Sequence, residues 1–231
     1  VHQGMVLGEI EYPAYRDEAG ALVSAEHATK SAEGAMIDRR SGGALYAERV
    51  EPARVTKKGA SFVLAQDASI GLVSRAPKMS KSLGNVVNPD DIIARFGADA
   101  LRAYEMFMGP LEATKPWNTD SIQGVRRFLE RLWTVATRAP SDAPPPEALL
   151  RLTHKTIAKV TEDIEAMRFN TAISAMMVLN NELAGLDAPP RACVEALVVL
   201  VHPFAPHLAE ELWERLGAPP SNHAQPGPKP D

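Results

Sequence analysis

The sequence predicts a mainly α-helical chain with a small α/β part, and three observations support this fold class. Apolar residues recur at helical spacing from residue 88 onward, whereas residues 8–77 combine short apolar runs with repeated glycines. Hydrophobic residues make up 45% and charged residues 23% of the 231 residues, as is typical of globular proteins. The 19 prolines punctuate the chain, which favours two modest domains with an appendage.

Residues 8–77 are predicted to form a small, mostly β or irregular module. Glycines interrupt this stretch repeatedly, and its apolar runs are too short for helices. Residues 61–64 and 70–73 have the apolar, β-branched composition of strands. A further short strand is predicted at residues 5–7.

The first helix is predicted to begin after Asn88 and to end at Gly97. Asn88 can cap the helix, and Pro89 fits the first helical position. Asp90 and Asp91 could be an acid–base or metal-binding pair, but their position in a first turn favours a simpler role, matching the positive end of the helix dipole.

The later helices are predicted to form an up-and-down bundle. Asp120, with Gln123 three residues later, is expected to cap one amphipathic helix. A second amphipathic helix is expected to run as far as Met167, and Asn170 to cap the next. Short connections between such helices favour antiparallel neighbours. The polar, Pro-rich residues 218–231 are predicted to be disordered.

Composition excludes several classes of protein. The net charge of −4 excludes a globally basic nucleic-acid binder. The longest apolar run, residues 196–201, is far shorter than the roughly 20 residues that a membrane-spanning helix needs. The single cysteine, Cys193, cannot form an internal disulfide, so we expect a core thiol and a cytoplasmic setting.

The strongest chemical signal is the pentapeptide Lys78-Met79-Ser80-Lys81-Ser82, which Leu83 and Gly84 follow; residues 78–84 are named the signature loop below. Two ammonium groups three residues apart, together with hydroxyl groups and a nearby glycine, can surround a polyphosphate with charge-assisted hydrogen bonds. On composition alone, a lysine- and serine-rich surface loop is the alternative. Five specified residues in succession favour the polyphosphate site.

This pentapeptide is the signature of class I aminoacyl-tRNA synthetases, and the sequence around it resembles the leucyl-tRNA synthetases. The resemblance continues through residues 78–109 (KMSKSLGNVVNPDDIIARFGADALRAYEMFMG) and the connector at residues 110–118 (PLEATKPWN). Further similarity lies at residues 2–6 (HQGMV), 168–172 (RFNTA), 202–207 (HPFAPH) and 210–213 (EELW). The last three stretches are similar to the tRNA-binding helix bundle that the leucyl, isoleucyl, valyl and methionyl enzymes share.

The resemblance implies the C-terminal end of a class I synthetase nucleotide-binding (Rossmann-like) domain with a β-rich insertion, followed by an antiparallel α-helical bundle. The implied divisions are residues 1–8 as the end of the nucleotide-binding core, 9–77 as a leucyl-type insertion, 78–118 as the signature loop with connecting helices, 119–217 as the tRNA-binding (anticodon-type) bundle, and 218–231 as the tail.

The implied activity is the ATP-dependent activation of leucine to leucyl-adenylate and its transfer to tRNA(Leu). The residues implied to bind ATP are Lys81, Lys78, Ser80, Ser82, Met79 and Gly84. Lys81 and Lys78 would be catalytic because they hold the β- and γ-phosphates as charge grows on the leaving pyrophosphate. Mg²⁺ would accompany ATP, and no protein-bound metal is predicted.

The class also needs a His-x-Gly-His motif, and these 231 residues do not contain one. The resemblance therefore implies that an N-terminal catalytic half, with this motif and an editing domain, lies in cis or on a separate chain. The 231 residues alone are expected not to aminoacylate. The parent enzyme is expected to be monomeric and without a membrane segment.

A basic surface provides candidate tRNA contacts, and an ordinary solvated surface is an equally good interpretation. The candidates are Arg126, Arg127, Arg131, Lys155 and Lys159. Trp117 could stack on a base, although packing is the commoner role of such a tryptophan. His202 and His207 are interpreted as turn and helix-start residues.

Three other functions remain open on the sequence. The first is an isoleucyl-, valyl- or methionyl-type synthetase fragment, against which the connector at residues 110–118 argues. The second is a non-catalytic tRNA-binding module with a vestigial phosphate loop. The third is a P-loop hydrolase, which is disfavoured because no G-x-x-x-x-G-K-[ST] stretch is present.

Overall fold

The structure, a computed structural model, describes residues 3–218, 221, 223 and 226–230. Val6–Val86 forms one compact unit, called the β-rich unit, and Val87–Asp231 with Val1–Met5 forms the other, called the helical unit. Within the described residues, all seven α-helices lie in the helical unit, and nine of the ten short strands lie in the β-rich unit. The mixture of helices and small sheets agrees with the predicted class.

The β-rich unit consists of short antiparallel sheets. Its strands are β1 Val6–Leu7, β2 Tyr12–Arg16, β3 Leu22–Val23, β4 Ala28–Lys30, β5 Met36–Asp38, β6 Tyr46–Val50, β7 Val55–Lys58, β8 Ser61–Leu64 and β9 Asp67–Leu72. One sheet has the order β3-β2-β6, a second has the order β7-β8-β9, and β4 pairs with β5. The strands predicted at residues 5–7, 61–64 and 70–73 are confirmed, although β9 begins three residues earlier than predicted.

A small apolar core holds the β-rich unit together. Ala14, Val50, Leu64 and Leu72 are buried in one cluster, with further apolar side chains packed around them. Because these four residues come from β2, β6, β8 and β9, the cluster joins the two three-stranded sheets. Burial of this kind contributes roughly 25 cal/mol per Å² of apolar surface.

The helical unit begins as the sequence predicts. Its elements are α1 Pro89–Phe96, α2 Ala98–Phe107, the short strand β10 Lys115–Pro116, α3 Ile122–Thr137, α4 Glu147–Glu165, α5 Phe169–Ala184, α6 Arg191–Val201 and α7 Pro206–Arg215. The side chain of Asn88 accepts a hydrogen bond from the Asp90 amide at 3.2 Å, and Gly97 ends α1 at a positive φ of 92°. Both predicted signals of the first helix are therefore confirmed.

Helix α5 lies at the centre of the helical unit, where it packs against α2, α3, α4 and α6. The fully buried side chains of these helices include Ile122 and Leu132 of α3 and Ile173 and Met176 of α5. Cys193 is also buried, as predicted for a core thiol. Within the described residues, no helix combines the length and apolar character needed to cross a membrane.

The start of α3 differs from the sequence prediction. Asn118 caps the 3₁₀ turn that leads into α3, because its side-chain oxygen accepts a hydrogen bond from the Ser121 amide at 3.0 Å, and Asp120 lies inside that turn. A 3₁₀ turn at Thr119–Ser121 precedes the α-helix and shifts the capping position toward the N-terminus. The capping pair predicted for Asp120 and Gln123 is therefore wrong.

A buried carboxylate fixes the turn between α4 and α5. Asp163 is 0% exposed, and both of its oxygens lie 2.6 Å from Lys159 Nζ. Arg168 Nε and Thr171 Oγ1 donate to it at 2.8 and 2.6 Å. Although burial by itself raises the pKa of Asp163, the hydrogen bonds from Lys159, Thr171 and Arg168 outweigh it and lower the pKa to about 2.

This turn corrects two predicted helix boundaries. Helix α4 ends at Glu165, and Met167 lies beyond it with a positive φ of 57° and a side chain that is 44% exposed. Helix α5 begins at Phe169, so Asn170 lies inside the first turn and is not a cap. At this turn the Arg168 amide donates to the Asp163 carbonyl at 2.7 Å, and the side chains of Arg168 and Thr171 bond to the buried carboxylate.

The N-terminus of α7 is tied to α2 by one side chain. Asp99 accepts hydrogen bonds from the Leu208 amide at 2.7 Å and from His207 Nδ1 at 2.8 Å. Because free amides at a helix start attract a carboxylate, Asp99 acts as a cap supplied by another helix. This agrees with the helix-start role predicted for His207.

Only part of the tail that was predicted to be disordered lies within the described residues. The disorder predicted for residues 218–231 falls partly on residues 219, 220, 222, 224, 225 and 231, which lie outside the described residues. In the described part, Ser221 Oγ and the His223 amide donate to the Glu210 carboxylate at 3.1 and 2.8 Å.

Candidate functional site

The signature loop follows a pair of hydrogen-bonded chain segments, residues 8–11 and 75–77, which we call the neck of the β-rich unit. The Gly8 amide donates to the Pro77 carbonyl at 2.8 Å, and Glu11 and Arg75 exchange backbone hydrogen bonds at 2.8 and 3.0 Å. The Arg75 guanidinium also lies 3.2 Å from the Glu11 carboxylate. The backbone that leads into Lys78 is therefore held in place by these bonds.

Asn85 closes the loop with both ends of its amide group. Its Oδ1 accepts a hydrogen bond from the Ser80 amide at 2.9 Å, and its Nδ2 donates to the Lys78 carbonyl at 3.3 Å. An amide side chain is suited to this arrangement because it offers a donor and an acceptor at once. The backbone from Lys78 to Ser80 is thereby held against the end of the loop.

A 3₁₀ turn at Lys81–Leu83 forms the second half of the loop. The Ser80 hydroxyl accepts a hydrogen bond from the Leu83 amide at 3.3 Å and lies 3.2 Å from the Ser82 hydroxyl. The turn ends at Gly84 with φ 62°, a left-handed conformation that costs glycine little and other residues more. Gly84 therefore has a defined conformational role here, and the flexibility predicted for it remains a prediction.

The structure brings the six predicted ATP-binding residues together in this one loop. Lys78, Lys81 and Ser82 are exposed, while Met79 and Ser80 are partly buried, as expected if Met79 anchors the loop. Among the residues that the structure describes, neither lysine forms an ion pair with an acid. Two uncompensated ammonium groups beside two hydroxyls can bind an anion such as a polyphosphate.

The structure separates the three arginines of α3, which the sequence analysis placed on one face. Arg126 bonds to Glu130 at 2.8 Å and to the Arg95 carbonyl at 3.2 Å. Arg127 and Arg131 instead line a groove of about 250 Å³ between α3 and α5. Arg131 donates to Asn181 Oδ1 at the wall of this groove. Only the second pair is free of an acidic partner among the described residues.

Two other predicted tRNA contacts are engaged elsewhere. Lys159 is bonded to Asp163, so a buried carboxylate already compensates its charge. Trp117 is only 4% exposed, donates its Nε1 hydrogen to Thr119 at 2.9 Å, and meets the Tyr104 ring edge-on at 5.2 Å. The ring is therefore packed, which was the commoner of its two interpretations, and the tRNA contact suggested for it is wrong because the ring is not available to stack on a base. Lys155 is exposed, as a phosphate contact would require.

Metal ligands do not cluster in the described part of the chain. There, no group of three or more histidine, cysteine, aspartate or glutamate side chains could hold a metal ion. His202 lies 3.2 Å from Glu210, and Asp90 and Asp91 lie in the first turn of α1, as predicted for dipole-matching acids.

The sequence analysis missed Asn85 as a site residue. It lies within the similar run that follows the signature loop, but no role was assigned to it. One signal in the sequence could have identified it. Asn85 lies only five residues after Ser80 and directly after Gly84, so its amide can fold back onto the loop. Side-chain to backbone bonds of this local kind are common for asparagine.

Two family models match separate parts of the chain. The model described as "tRNA synthetases class I (I, L, M and V)" matches residues 68–114, which contain the signature loop, α1 and α2. The model described as "Anticodon-binding domain of tRNA ligase" matches residues 147–231, beginning at the first residue of α4.

Two relatives that match the chain are both leucine–tRNA ligases. A leucine–tRNA ligase from Rhodopirellula baltica is 47% identical over 239 residues, an alignment that covers 99% of this chain and 25% of that protein. A leucine–tRNA ligase from Sorangium cellulosum is 60% identical over 151 residues, covering 65% of this chain and 18% of that protein. The chain belongs to the leucyl-tRNA synthetase family. The resemblance read from the signature loop is thereby confirmed.

A solved leucyl-tRNA synthetase structure shares this fold. The ternary complex of Agrobacterium radiobacter K84 agnB2 LeuRS with tRNA and LeuAMS matches with a TM-score of 0.59 and 33% sequence identity. The match covers 67% of this chain and 22% of that one. The chain thus spans about a quarter of the length of the leucyl-tRNA synthetase family members that it matches.

Proposed function

We propose that this chain supplies the ATP-phosphate loop and the tRNA-binding helices of a leucine–tRNA ligase. The reaction is the activation of leucine by ATP to leucyl-adenylate and pyrophosphate, followed by transfer of the leucyl group to tRNA(Leu). One observation carries the proposal: the signature loop holds two exposed ammonium groups without acidic partners among the described residues, in a chain whose relatives are leucine–tRNA ligases.

The chemistry of the loop is charge stabilisation. ATP arrives with Mg²⁺ as its usual companion, and the leaving pyrophosphate gains negative charge as the adenylate forms. Lys81 and Lys78 stabilise that charge, and the hydroxyls of Ser80 and Ser82 donate hydrogen bonds to phosphate oxygens. Such a loop accelerates the reaction by positioning and electrostatics, with no protein nucleophile.

Two findings support residues 9–77 as an insertion of the leucyl type. The neck joins the two ends of this stretch, as expected for a segment inserted into another domain. The Rhodopirellula alignment takes in 99% of the chain, so the β-rich unit has a counterpart in a leucine–tRNA ligase. Residues 1–8 and 78–118 then belong to the nucleotide-binding domain, and residues 119–217 form the tRNA-binding bundle.

The tRNA contacts that fit the structure best are Arg127, Arg131 and Lys155. Their side chains are exposed and have no acidic partner among the described residues, so phosphate binding would not break an existing ion pair. The similar LeuRS structure was determined as a complex with tRNA. The leucine pocket, the His-x-Gly-His motif and any editing domain are supplied in cis or by a separate chain.

The proposal can be tested in a chimera. The matching segment of the Rhodopirellula ligase is replaced by this chain, and leucine-dependent exchange of pyrophosphate into ATP is measured. Lys81→Ala should slow exchange by about 100- to 1,000-fold, as expected when one preorganised donor to developing charge is lost. Lys57→Ala, an exposed lysine on β7, is the matched control and should leave the rate unchanged.

The outcome also separates the rival functions. Because the Rhodopirellula part of the chimera supplies the leucine pocket, the rival synthetases are separated by the choice of tRNA. A chimera that charges tRNA(Leu) but not tRNA(Ile), tRNA(Val) or tRNA(Met) argues against an isoleucyl, valyl or methionyl enzyme. If the Lys81→Ala chimera exchanges pyrophosphate at the unsubstituted rate, the loop is vestigial, and a non-catalytic tRNA-binding module is the better description.

A further inference from the structure

We infer that Asn85 is a positioning residue for the signature loop. Its amide group fixes the backbone that carries Lys78 and Ser80, and so presents the lysines to a polyphosphate before the ligand arrives. The inference rests on the proposed function of the loop as a phosphate site. It concerns a residue that is not itself expected to touch the ligand.

The geometry is specific to an amide at this position. Both bonds of Asn85 go to backbone atoms, the Ser80 amide at 2.9 Å and the Lys78 carbonyl at 3.3 Å. Carboxylate oxygens could accept from Ser80 but could not donate to Lys78, and alanine could do neither. Of the loop residues, only Lys78 and Ser80 are held in this way, and they flank Met79, the partly buried anchor.

Gly8 supports Asn85 from the other side. A Cβ atom added at Gly8 would lie 2.8 Å from Asn85 Nδ2 and 3.2 Å from the Pro77 carbonyl oxygen. Both distances are shorter than ordinary contacts, so a side chain at residue 8 would displace the amide. Because Gly8 has no side chain, Asn85 can stay against the loop.

The consequence for binding is preorganisation. A loop already held in one conformation loses less conformational freedom when a ligand binds, and the ligand affinity is higher for that reason. Net contributions of single hydrogen bonds correspond to factors of roughly 2 to 13, so losing both bonds should weaken polyphosphate binding by about tenfold.

The test uses the full 231-residue chain with inorganic tripolyphosphate as the probe. Affinity is measured by titration calorimetry, and the exchange rate of the Ser80 amide hydrogen by NMR. In Asn85→Ala, we expect affinity to fall about tenfold and Ser80 exchange to accelerate about tenfold in the free chain. Asn88→Ala, which removes the same side chain from the cap of α1, should change neither.

A second readout separates positioning from general stabilisation. If Asn85 preorders the loop, tripolyphosphate must itself order the loop of Asn85→Ala. Saturating ligand should therefore slow Ser80 exchange more in that variant than in the unsubstituted chain. Amide exchange in β8, at Val63 and Leu64, monitors the fold of the β-rich unit and should stay unchanged.

Each outcome bears on one claim. Unchanged Ser80 exchange or unchanged affinity in Asn85→Ala overturns the positioning role. Should the unsubstituted chain fail to bind tripolyphosphate, the phosphate-site proposal fails as well, although Ser80 exchange still reports whether Asn85 orders the loop. If Asn85→Ala does not fold, Gly8→Ala displaces the amide instead and should weaken binding similarly. Binding by Gly8→Ala at full affinity would refute the inference.

Discussion

Removing the buried charge of Asp163 should destabilise the helical unit strongly. Asp163→Asn keeps the size of the side chain but leaves Lys159 and Arg168 close together without a carboxylate. The pKa of Asp163 is lowered from 3.8 to about 2 by bonds that outweigh its burial. A difference of about 2 pKa units between the folded and unfolded chains stabilises the fold by about 2 kcal/mol at pH 7.

Breaking a buried ion pair by removing one partner costs about 3–5 kcal/mol where the remaining charge stays buried. Since Lys159 and Arg168 are partly exposed, we expect Asp163→Asn to lower the free energy of unfolding by about 2–4 kcal/mol at pH 7.

The pH dependence gives a sharper test. Because the pKa is depressed in the folded chain, the stabilisation is present above the unfolded value of 3.8 and is lost as the pH falls toward 2. At pH 3 the same two pKa values leave about 1 kcal/mol of it. The difference between Asp163→Asn and the unsubstituted chain should therefore shrink on acidification.

Urea unfolding followed by tryptophan fluorescence measures this difference. All three tryptophans, Trp117, Trp133 and Trp213, lie in the helical unit, so the signal reports that unit alone. Asp142→Asn is the matched control, because Asp142 is 79% exposed beside Arg191, and its loss should change stability far less. Equal effects of the two substitutions, or an Asp163→Asn effect of the same size at pH 3 and pH 7, would refute the reasoning.

Two further predictions use the same unfolding assay. Asn118→Ala should lower the free energy of unfolding by about 1 kcal/mol, as for loss of a helix cap, whereas Asp120→Ala should cost less than about 0.5; the reverse order would restore Asp120 as the cap. Gly124→Ala should stabilise the helical unit by about 0.5–1 kcal/mol, since nothing lies within 4 Å of the added Cβ. Gly4→Ala should destabilise it by about 1–3 kcal/mol, because the added Cβ would meet the Ala113 carbonyl. Equal effects of the two glycine substitutions would contradict the packing around Gly4.

Features encoded by neighbouring residues were predictable from the sequence. The Asn88 cap, the stop at Gly97 and the apolar stripe of α3 each depend on residues within one or two turns of one another. The signature loop was equally visible, because its residues are consecutive. Local chemistry decides these features, so reading along the chain is sufficient.

Features that depend on a distant partner were not predictable. Trp117 is buried because Tyr104 of α2 packs against it, and Met167 leaves its helix because Arg168 turns back to Asp163. The separation of Arg126 from Arg127 depends on which helices flank α3. Helical spacing fixes the angle between two side chains, but the neighbours decide which groove each one enters.

The neck has a consequence for how this region can change over evolutionary time. Because residues 8–11 and 75–77 run side by side, the chain departs and returns at the same place. Strands between those points can be gained, lost or exchanged without moving Lys78, provided the Gly8 and Glu11 bonds survive. Divergence should therefore concentrate in the sheets beyond the neck, and a foreign domain could be grafted there while the phosphate loop keeps its place.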